Sequence, residues 1–424
     1  GPDAEGIFVE GDVALGQRRL SIIDLAGGNQ PIYNEDKSIL IMYNGEVYNY
    51  KELKEELTEY KFETESDTEV VLHGYEKWGH DLPKKLRGMF AYAIYDKNKG
   101  EIFISRDQFG IKPLYYYHDG DTILFGSEIK SFLAYPKFKK VLNKELLGAY
   151  LTFSFTPTDE TFFKGVYRLP SGHSMTIDVK KRKIKIDRYF KVEFGNTDKS
   201  FDEVVKDIST AMKDSTEHHL ISDVEVGSFL SSGVDSSYLV SLAKPDKTYT
   251  IGFDLAKYSE IDYAKDLTDK LNIKNISEKI SKEEYMNALS EVYYHMDEPT
   301  ADGCAIAVYF LSRLASKDVK VVLSGEGADE FFGGYNSYDD NFYTKLPFFI
   351  RKSMASICKI LPKNKITRYI IRRGLPLEES YVSINRTYYD DELKDVLKID
   401  NYIKNKDIVK DVYKEYKNSN KLDK

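Results

Sequence analysis

Apolar and polar positions follow two different patterns along the chain, and the change falls near residue 195. Before it, short apolar runs typical of strands are separated by turns, and two segments carry helical spacing. The predicted strands are Val13–Ile23, Ser38–Tyr43, Leu86–Tyr95, Ile102–Ser105, Leu114–Tyr117 and Ile123–Phe125. The predicted helices are Tyr50–Glu59 and Thr68–Trp78, the second with Asp67 as its N-cap.

Helices and strands alternate after residue 201, which predicts a doubly wound parallel sheet with ligands at the carboxyl ends of its strands. The predicted elements are the helices Phe201–Leu220, Tyr263–Leu271 and Lys282–His295 and the strands Thr248–Phe253, Ile276–Ile280 and Val319–Leu323. The polar segment Lys191–Lys199 is the predicted linker. The sequence thus predicts two domains, residues 1–195 and 200–424, with a mostly helical end beyond Tyr343.

Composition narrows the class of protein. The chain has 424 residues, 42% hydrophobic and 31% charged, which suits two or three globular domains. A formal net charge of −8 argues against a nucleic-acid binder, and no apolar run approaches the roughly 18–20 residues of a membrane span. Having only two cysteines excludes a disulfide framework and favours a reducing, cytoplasmic setting. One of them, Cys304, is expected to be a buried small hydrophobe.

The segment Ser231–Ser237 has the sequence Ser-Ser-Gly-Val-Asp-Ser-Ser, between a β-prone run ending at Leu230 and a helical run. Strand, small-residue turn and helix together aim backbone N–H groups and a positive helix end at phosphate. Asp235 would repel phosphate, so its expected role is to hold a Mg²⁺ that bridges to the phosphate oxygens. An ordinary βα turn rich in serine and glycine is the alternative.

A second acidic turn, Ser324–Glu330, follows the predicted strand Val319–Leu323. In a parallel sheet it would end on the same edge as the first loop, so Asp329 and Asp235 could share metal ions that stabilise a pyrophosphate leaving group. Glu326 would act as a general base or orient a nucleophile. The alternative is that these acids are solvated surface charges.

Both loops resemble those of the glutamine-dependent asparagine synthetase family. The family's pyrophosphate loop is S-G-G-x-D-S-S, and here Ser232 replaces its first glycine. The family's S-G-E-G-A-D-E-x-F-G-G-Y segment matches from Ser324 to Tyr335. Thr248–Phe253 resembles the strand whose backbone contacts adenine, and Asp297–Asp302 resembles the segment where the acceptor amino acid is expected to bind.

The first domain resembles the N-terminal-nucleophile glutaminase of the same family, a class II glutamine amidotransferase. The motifs that carry this resemblance are Arg18–Asp24, Tyr43–Asn49, Ser66–Glu69, Gly88–Ala91 and Arg106–Tyr115. The implied fold is α/β and α+β: an αββα sandwich followed by a doubly wound, ATP pyrophosphatase-like synthetase domain.

The resemblance implies two sets of binding residues. Those for glutamine are Arg19, Leu20, Ser21, Ile22, Ile23, Asn44, Gly45, Glu46 and Asp67. Those for ATP and pyrophosphate are Leu230, Ser231, Ser232, Gly233, Asp235, Ser236, Ser237, Ile251, Ser324 and Gly325, with Mg²⁺ held by Asp235 and Asp329.

The charges of free glutamine explain the first set. Arg19 can clamp the carboxylate, and Asp67 with Glu46 can pair with the ammonium group. Asn44 and Gly45 resemble an oxyanion hole and, with Glu326, are the candidate catalytic residues. Taken alone, Arg19 is equally explained as a surface cation, and a plain turn is the favoured interpretation of Asn44-Gly45.

The implied function is glutamine-dependent asparagine synthesis, with glutamine, aspartate and ATP as small-molecule substrates and ATP and Mg²⁺ as cofactors. Two alternatives stay open: a related enzyme that adenylates a different carboxylate, and a non-catalytic paralogue that serves as a binding scaffold. Neither nucleic acid nor membrane is an expected partner, and a homodimer is left open.

The ends of the chain affect this prediction. The chain begins at Gly1-Pro2 without a methionine and ends in a polar run, which predicts an internal fragment of a longer protein. The family's N-terminal nucleophilic cysteine and a later lysine of the synthetase domain are not identified. The polypeptide as given is therefore expected to be impaired, and the parent protein to carry both activities.

Overall fold

The computed structural model describes residues 1–416, apart from 194, 196, 255–258, 302, 336–344, 363, 377–378, 380–386, 389–391 and 400. Over these residues, no helix is both long and apolar enough to cross a membrane. Asp302, part of the predicted acceptor segment, and parts of the predicted linker lie outside the described residues.

The first half of the chain is built around one antiparallel sheet of six strands: β3 (Ile32–Tyr33), β4 (Ile39–Val47), β5 (Gly88–Asp96), β6 (Glu101–Arg106), β10 (His173–Asp178) and β11 (Lys183–Arg188). Their order is β11-β10-β6-β5-β4-β3. Two smaller sheets accompany it: the hairpin of β1 (Ala4–Glu10) and β2 (Val13–Arg19), and the sheet of β7 (Tyr115–His118), β8 (Ile123–Gly126) and β9 (Val166–Arg168).

Alternating apolar side chains bury both faces of the six-stranded sheet. Ile41 and Tyr43 of β4 face a core shared with α1 (Tyr50–Glu56) and α2 (Asp67–Trp78). The intervening Leu40 and Met42 face the opposite core, which the β1–β2 hairpin helps to cover. Helices therefore cover one face and small sheets the other, and the predicted mixed α/β fold is confirmed.

The second half contains a parallel sheet of β12 (Val226–Phe229), β13 (Lys247–Phe253), β14 (Lys274–Ile280) and β15 (Val321–Leu323), in the order β14-β13-β12-β15. Its helices are α4 (Phe201–His219), α5 (Val234–Ala243), α6 (Ile261–Leu271), α7 (Lys282–Met296), α8 (Cys304–Ala315) and α9 (Ala328–Phe332). The core around Val240 joins α5 and α6, and a separate core around Phe310 joins α7 and α8. The sheet is thus doubly wound, as predicted.

Helices dominate the described part of the C-terminal region, in agreement with the prediction. They are α10 (Phe348–Cys358), α11 (Lys365–Arg373), α12 (Leu393–Val396) and α13 (Asn405–Glu415). Helix α13 returns to the first half of the chain, where Val409 packs against Ala149 and Phe153 of α3 (Leu147–Phe153).

Several sequence predictions need correction. Strand β2 ends at Arg19, not at Ile23, because the backbone that follows turns around the Arg19 side chain. Helix α1 ends at Glu56, and Asp67 is the first residue of α2 rather than its cap. The cap is Ser66, whose side chain accepts a hydrogen bond from the Thr68 N–H at 3.2 Å. Because Cys304 begins α8 at its exposed end, it is not the buried residue that the sequence predicted.

Candidate functional site

Arg19, the predicted clamp for the glutamine carboxylate, is buried with 6% of its surface exposed and is no surface cation. Its Nη2 donates to the carbonyl oxygens of Ile23 and Asp24, both at 2.8 Å, and its Nη1 to Asn29 Oδ1 at 3.3 Å. Burial lowers the pKa of this guanidinium, although nearby carboxylates oppose the shift. These bonds use three of the five N–H donors that an arginine carries, which leaves two for a ligand.

Asp24 holds the loop that follows Arg19, and its backbone adopts a left-handed φ of 48°. Its Oδ1 accepts from the Gly27 N–H at 2.7 Å and its Oδ2 from the Glu65 N–H at 2.9 Å. Within the loop, Ser21 and Ile23 are buried and Leu20 is exposed. The strain of the left-handed residue is offset by this set of bonds, so the carbonyls around the guanidinium are fixed.

The predicted oxyanion residues Asn44 and Gly45 lie within β4, so the plain-turn alternative is wrong. Gly45 pairs with Phe90 of β5, and a Cβ on Gly45 would lie 2.8 Å from the Phe90 Cα. Only glycine allows this approach of the two backbones. The Asn44 Nδ2 donates weakly to Ser127 Oγ at 3.4 Å, so the amide retains donor capacity.

Glu46 and Asp67 bring two carboxylates together in a buried region. Asp67 accepts from the Tyr43 hydroxyl at 2.7 Å and the Val47 N–H at 3.0 Å. Glu46 is 6% exposed, and its Oε1 has no hydrogen-bond partner among the described residues. Burial, and then Asp67, raise the pKa of Glu46 to about 9, and burial also raises the pKa of Asp67. A bound ammonium would satisfy the unpaired oxygen and favour the ionised forms of both carboxyls.

The loop Ser231–Ser237 connects β12 to α5, as predicted. Helix α5 begins at Val234, and its N-cap residue, Gly233, has no side chain to cap the first turn. The shortest hydrogen bonds made by serine hydroxyls of the loop are those of Ser231 with Ser236 at 2.8 Å, of Ser237 with the Gly233 carbonyl at 2.7 Å, and of Ser232 with Glu260 at 2.8 Å. The serine hydroxyls therefore stabilise the conformation of the loop, and the uncapped N–H groups of α5 are the donors left for phosphate.

Strands β12 and β15 are neighbours in the sheet, and this brings the two predicted loops together. Ser228 pairs with Leu323, so both strands end at the same edge. A Cβ on Gly325 would lie 3.1 Å from the Ser236 nitrogen and 3.2 Å from the Asp235 carbonyl carbon. Glycine at position 325 thus permits direct backbone contact between the loops.

The remaining residues of the ATP set occupy the same edge. The Leu230 N–H donates to the Tyr249 carbonyl at 3.0 Å, and the Thr250 hydroxyl donates to the Leu230 carbonyl at 2.8 Å. Ile251 is buried one residue further along β13. The base of the phosphate loop is therefore fixed to the strand predicted to contact adenine.

The acidic residues of the second loop are divided between the turn and α9. The Glu326 N–H donates to Ser324 Oγ at 3.3 Å, and the Glu326 side chain is exposed. Asp329 lies in the first turn of α9, and its carboxylate lies against Gly334. No group of three potential metal ligands occurs among the described residues, but two carboxylates suit Mg²⁺, which usually takes few protein ligands and the rest from phosphate and water.

The segment predicted to bind the acceptor makes contacts that its sequence did not indicate. Glu298 is buried and accepts from Arg168 at 2.6 Å and from the Phe162 N–H at 3.1 Å. Asp297 accepts from the Ile129 N–H at 2.5 Å and pairs with Lys130 at 3.0 Å. These two carboxylates join the halves of the chain.

Sequence reasoning also missed Glu260, Asp223 and Lys320. Glu260 contacts the phosphate loop at Ser232, and the other two contact the loop after Arg19. No local pattern marks any of them, because each contact joins residues that are distant in sequence.

Comparisons with known proteins agree with the two-part structure. Residues 1–190 match the glutamine amidotransferase domain family, and residues 207–419 match the asparagine synthase family. Fold and matches together define an amidotransferase domain joined to a synthase domain.

Individual relatives narrow the class further. The chain is 41% identical to asparagine synthetase [glutamine-hydrolyzing] 1 of Bacillus subtilis, over 94% of this chain and 64% of the relative. It is 36% identical to a putative asparagine synthetase [glutamine-hydrolyzing] 2 of Methanocaldococcus jannaschii, over 83% of this chain and 74% of the relative. The chain belongs to the glutamine-hydrolysing asparagine synthetase family. It spans slightly less than two thirds of the length of the Bacillus relative.

Proposed function

We propose that the protein is a glutamine-dependent asparagine synthetase. Glutamine and water give glutamate and ammonia in the first domain. In the second, the aspartate side-chain carboxylate attacks ATP, which forms an acyl-adenylate and releases pyrophosphate, and ammonia then displaces AMP. The observation that carries this proposal is the combination of a buried guanidinium, Arg19, with the buried carboxylates of Glu46 and Asp67, which complements a free amino acid zwitterion.

The second half of the proposal concerns ATP and Mg²⁺. The uncapped start of α5 and the adjoining backbone of Gly325 would cradle pyrophosphate. Asp235 and Asp329 would hold Mg²⁺, which neutralises the charge that develops on the leaving group, and Glu326 would orient the nucleophile. We assign residues 1–195 to the glutaminase domain and 200–424 to the synthetase domain. A cytoplasmic location is part of the proposal and is supported by the scarcity of cysteine.

The test supplies the full-length protein with amide-labelled glutamine, ATP, Mg²⁺ and aspartate. Labelled asparagine with equal amounts of AMP and pyrophosphate is the expected result. AMP formed only with another carboxylate would support the alternative of a related ligase. That alternative is favoured by the contacts of Asp297 and Glu298, because these predicted acceptor-segment residues bind the first half of the chain instead. No nucleotide turnover with any acceptor would support the scaffold and contradict the proposal.

The division into two sites has its own test in Asp235→Asn, which removes a charge needed to hold Mg²⁺ at the phosphate loop. Adenylation should fall at least about a hundredfold, as for loss of a group that stabilises transition-state charge. Glutamine hydrolysis should stay within about twofold of wild type. Parallel loss of both activities would contradict the assignment of separate sites.

A further inference from the structure

Two residues of the second half of the chain hold the loop that follows Arg19. The Asp223 carboxylate accepts a hydrogen bond from the Asp24 N–H at 2.8 Å, and the Asp223 N–H donates to the Ile22 carbonyl at 3.1 Å. Asp223 thus forms hydrogen bonds with the loop backbone at two points, one on each side of Ile23. Two bonds of this kind fix both the position and the orientation of the loop backbone.

Lys320 contacts the same loop through Asp3. Lys320 Nζ donates to Asp3 Oδ2 at 2.7 Å, and the same oxygen accepts from the Ser21 N–H at 2.9 Å. Lys320 also approaches the Ser21 carbonyl at 3.5 Å. The hydrogen bonds from Lys320 and from the Ser21 N–H lower the pKa of Asp3, which favours the ionised form that accepts from both donors.

These contacts reach the guanidinium of Arg19 through the loop backbone. The carbonyls that accept from Arg19 Nη2 belong to Ile23 and Asp24, the segment that Asp223 fixes. Burial is the main cause of the raised pKa of Glu46, and the negative charges of Asp67 and, to a smaller extent, Asp223 add to it. Asp223 therefore influences both charged halves of the proposed glutamine site without being part of the first domain.

Asp223 and Lys320 lie close to the starts of two strands of the parallel sheet. Asp223 lies shortly before β12, and Lys320 lies immediately before β15. The two strands are paired neighbours, and their opposite ends carry the two phosphate loops. Two short rigid strands therefore connect the loop around Arg19 with the proposed ATP site.

We propose that Asp223 and Lys320 are positioning residues for glutamine recognition, supplied by the synthetase domain, so that the glutamine site is complete only when both domains are docked. They act through the backbone of Leu20–Asp24, which fixes the position of the Arg19 guanidinium, and they do not contact the substrate. The inference rests on the proposed function, because it takes Arg19 as the ligand for the glutamine carboxylate.

The experiment measures glutamine hydrolysis and ammonia-driven pyrophosphate release in the full-length protein. Asp223→Ala removes the acceptor for the Asp24 N–H, and the glutamine KM should rise about tenfold, the equivalent of about 1.4 kcal/mol. Asp223→Asn retains an acceptor oxygen and should recover most of this loss. Lys320→Met should raise the glutamine KM about threefold. In all three variants, ammonia-driven synthesis and its KM for ATP should stay at the wild-type level.

Glu225→Gln is the matched control, because Glu225 lies at the same end of β12 and pairs at 3.0 Å with Lys247, a residue of the second half of the chain. It should leave the glutamine KM unchanged. An unchanged KM in Asp223→Ala, or equal losses in the glutamine and ammonia reactions, would overturn the inference. A failure of the proposed glutaminase is distinguishable from this result, since the wild-type protein itself would then hydrolyse no glutamine.

Discussion

Glu46 is a residue at which folding and ligand binding make opposite demands. Its pKa is raised from 4.5 to about 9 by burial and by Asp67. Between those pH values the native state binds a proton that the unfolded state has lost, so stability falls as pH rises through this range. The carboxylate that destabilises the free protein is the group that an ammonium ligand would need.

Glu46→Gln should therefore stabilise the protein while weakening its proposed activity. We expect the Tm at pH 8 to rise by about 3 °C, roughly 1 kcal/mol for a domain of this size, with no gain at pH 4. The glutamine KM should rise about tenfold, because the amide cannot pair with an ammonium group. Thermal unfolding at both pH values and steady-state kinetics check these effects, with the exposed Glu35→Gln as control. A lower Tm at pH 8 would contradict the raised pKa.

Arg19→Lys tests the guanidinium separately from its charge. Lysine keeps the cation but cannot serve the two loop carbonyls and a carboxylate together, since it lacks the planar fork. We expect the glutamine KM to rise at least about tenfold, while synthesis from ammonia is spared. Rates with glutamine and with ammonia, measured side by side, decide the matter. Equal impairment of both would make Arg19 a structural residue.

Some residue roles could be predicted from sequence and others could not. Arg19, Glu46 and Asp67 could be identified through the family resemblance, and their charges complement the carboxylate and the ammonium group of a zwitterion. That Gly45 lies within a strand, where its missing Cβ permits contact with Phe90, follows only from strand pairing. Local sequence favours a turn at Asn-Gly, and the β4–β5 ladder overrides that preference.

At the scale of elements, the contact between the two phosphate loops depends on Gly325. A Cβ at this position would lie 3.1 Å from the Ser236 nitrogen, and backbone has little freedom to move away. Gly325→Val should therefore separate the loops and raise the KM for ATP about tenfold or more, with glutamine hydrolysis unchanged.

The matched control for Gly325→Val is Gly195→Val, since among the described residues no atom lies within 4 Å of a Cβ built on Gly195. Both variants are assayed for ammonia-driven pyrophosphate release at several ATP concentrations. If Gly325→Val kept the wild-type KM for ATP, the contact between the loops would have no role in binding the nucleotide.

Element types were easier to predict than element ends. The period-2 and helical patterns located the strands of the parallel sheet and the helix α4, because those patterns report which faces are buried. The predicted end of β2 was wrong because the Arg19 side chain donates to carbonyl oxygens of the backbone that follows it. This interaction overrides the β-prone character of Leu20-Ser21-Ile22-Ile23.

At the scale of the whole molecule, the contacts between the halves of the chain were the least predictable. Glu298 belongs to a segment that resembles the family's acceptor-binding segment, yet its carboxylate contacts Arg168, which is 130 residues away. Asp223 contacts a loop that is 199 residues away. Such pairs carry no local periodicity or motif, so only the docked structure reveals them.

Glu298 and Arg168 form the ion pair that should contribute most to holding the halves together. Both side chains are mostly buried, at 8% and 26% exposure, and their closest atoms are 2.6 Å apart. Removing one partner of a buried pair leaves the other charge without compensation, so Glu298→Ala should cost about 3 kcal/mol. Urea denaturation of wild type and variant measures this loss.

Two further variants show whether the loss comes from the uncompensated Arg168 cation. The double variant Glu298→Ala with Arg168→Met removes that cation and should recover part of the loss, while Lys270→Ala breaks an exposed pair with Asp266 and should cost less than about 0.5 kcal/mol. A cost for Glu298→Ala no larger than that of Lys270→Ala would mean that solvent already screens the pair. Domain docking would then depend on the other contacts, those of Asp297 and Asp223 foremost.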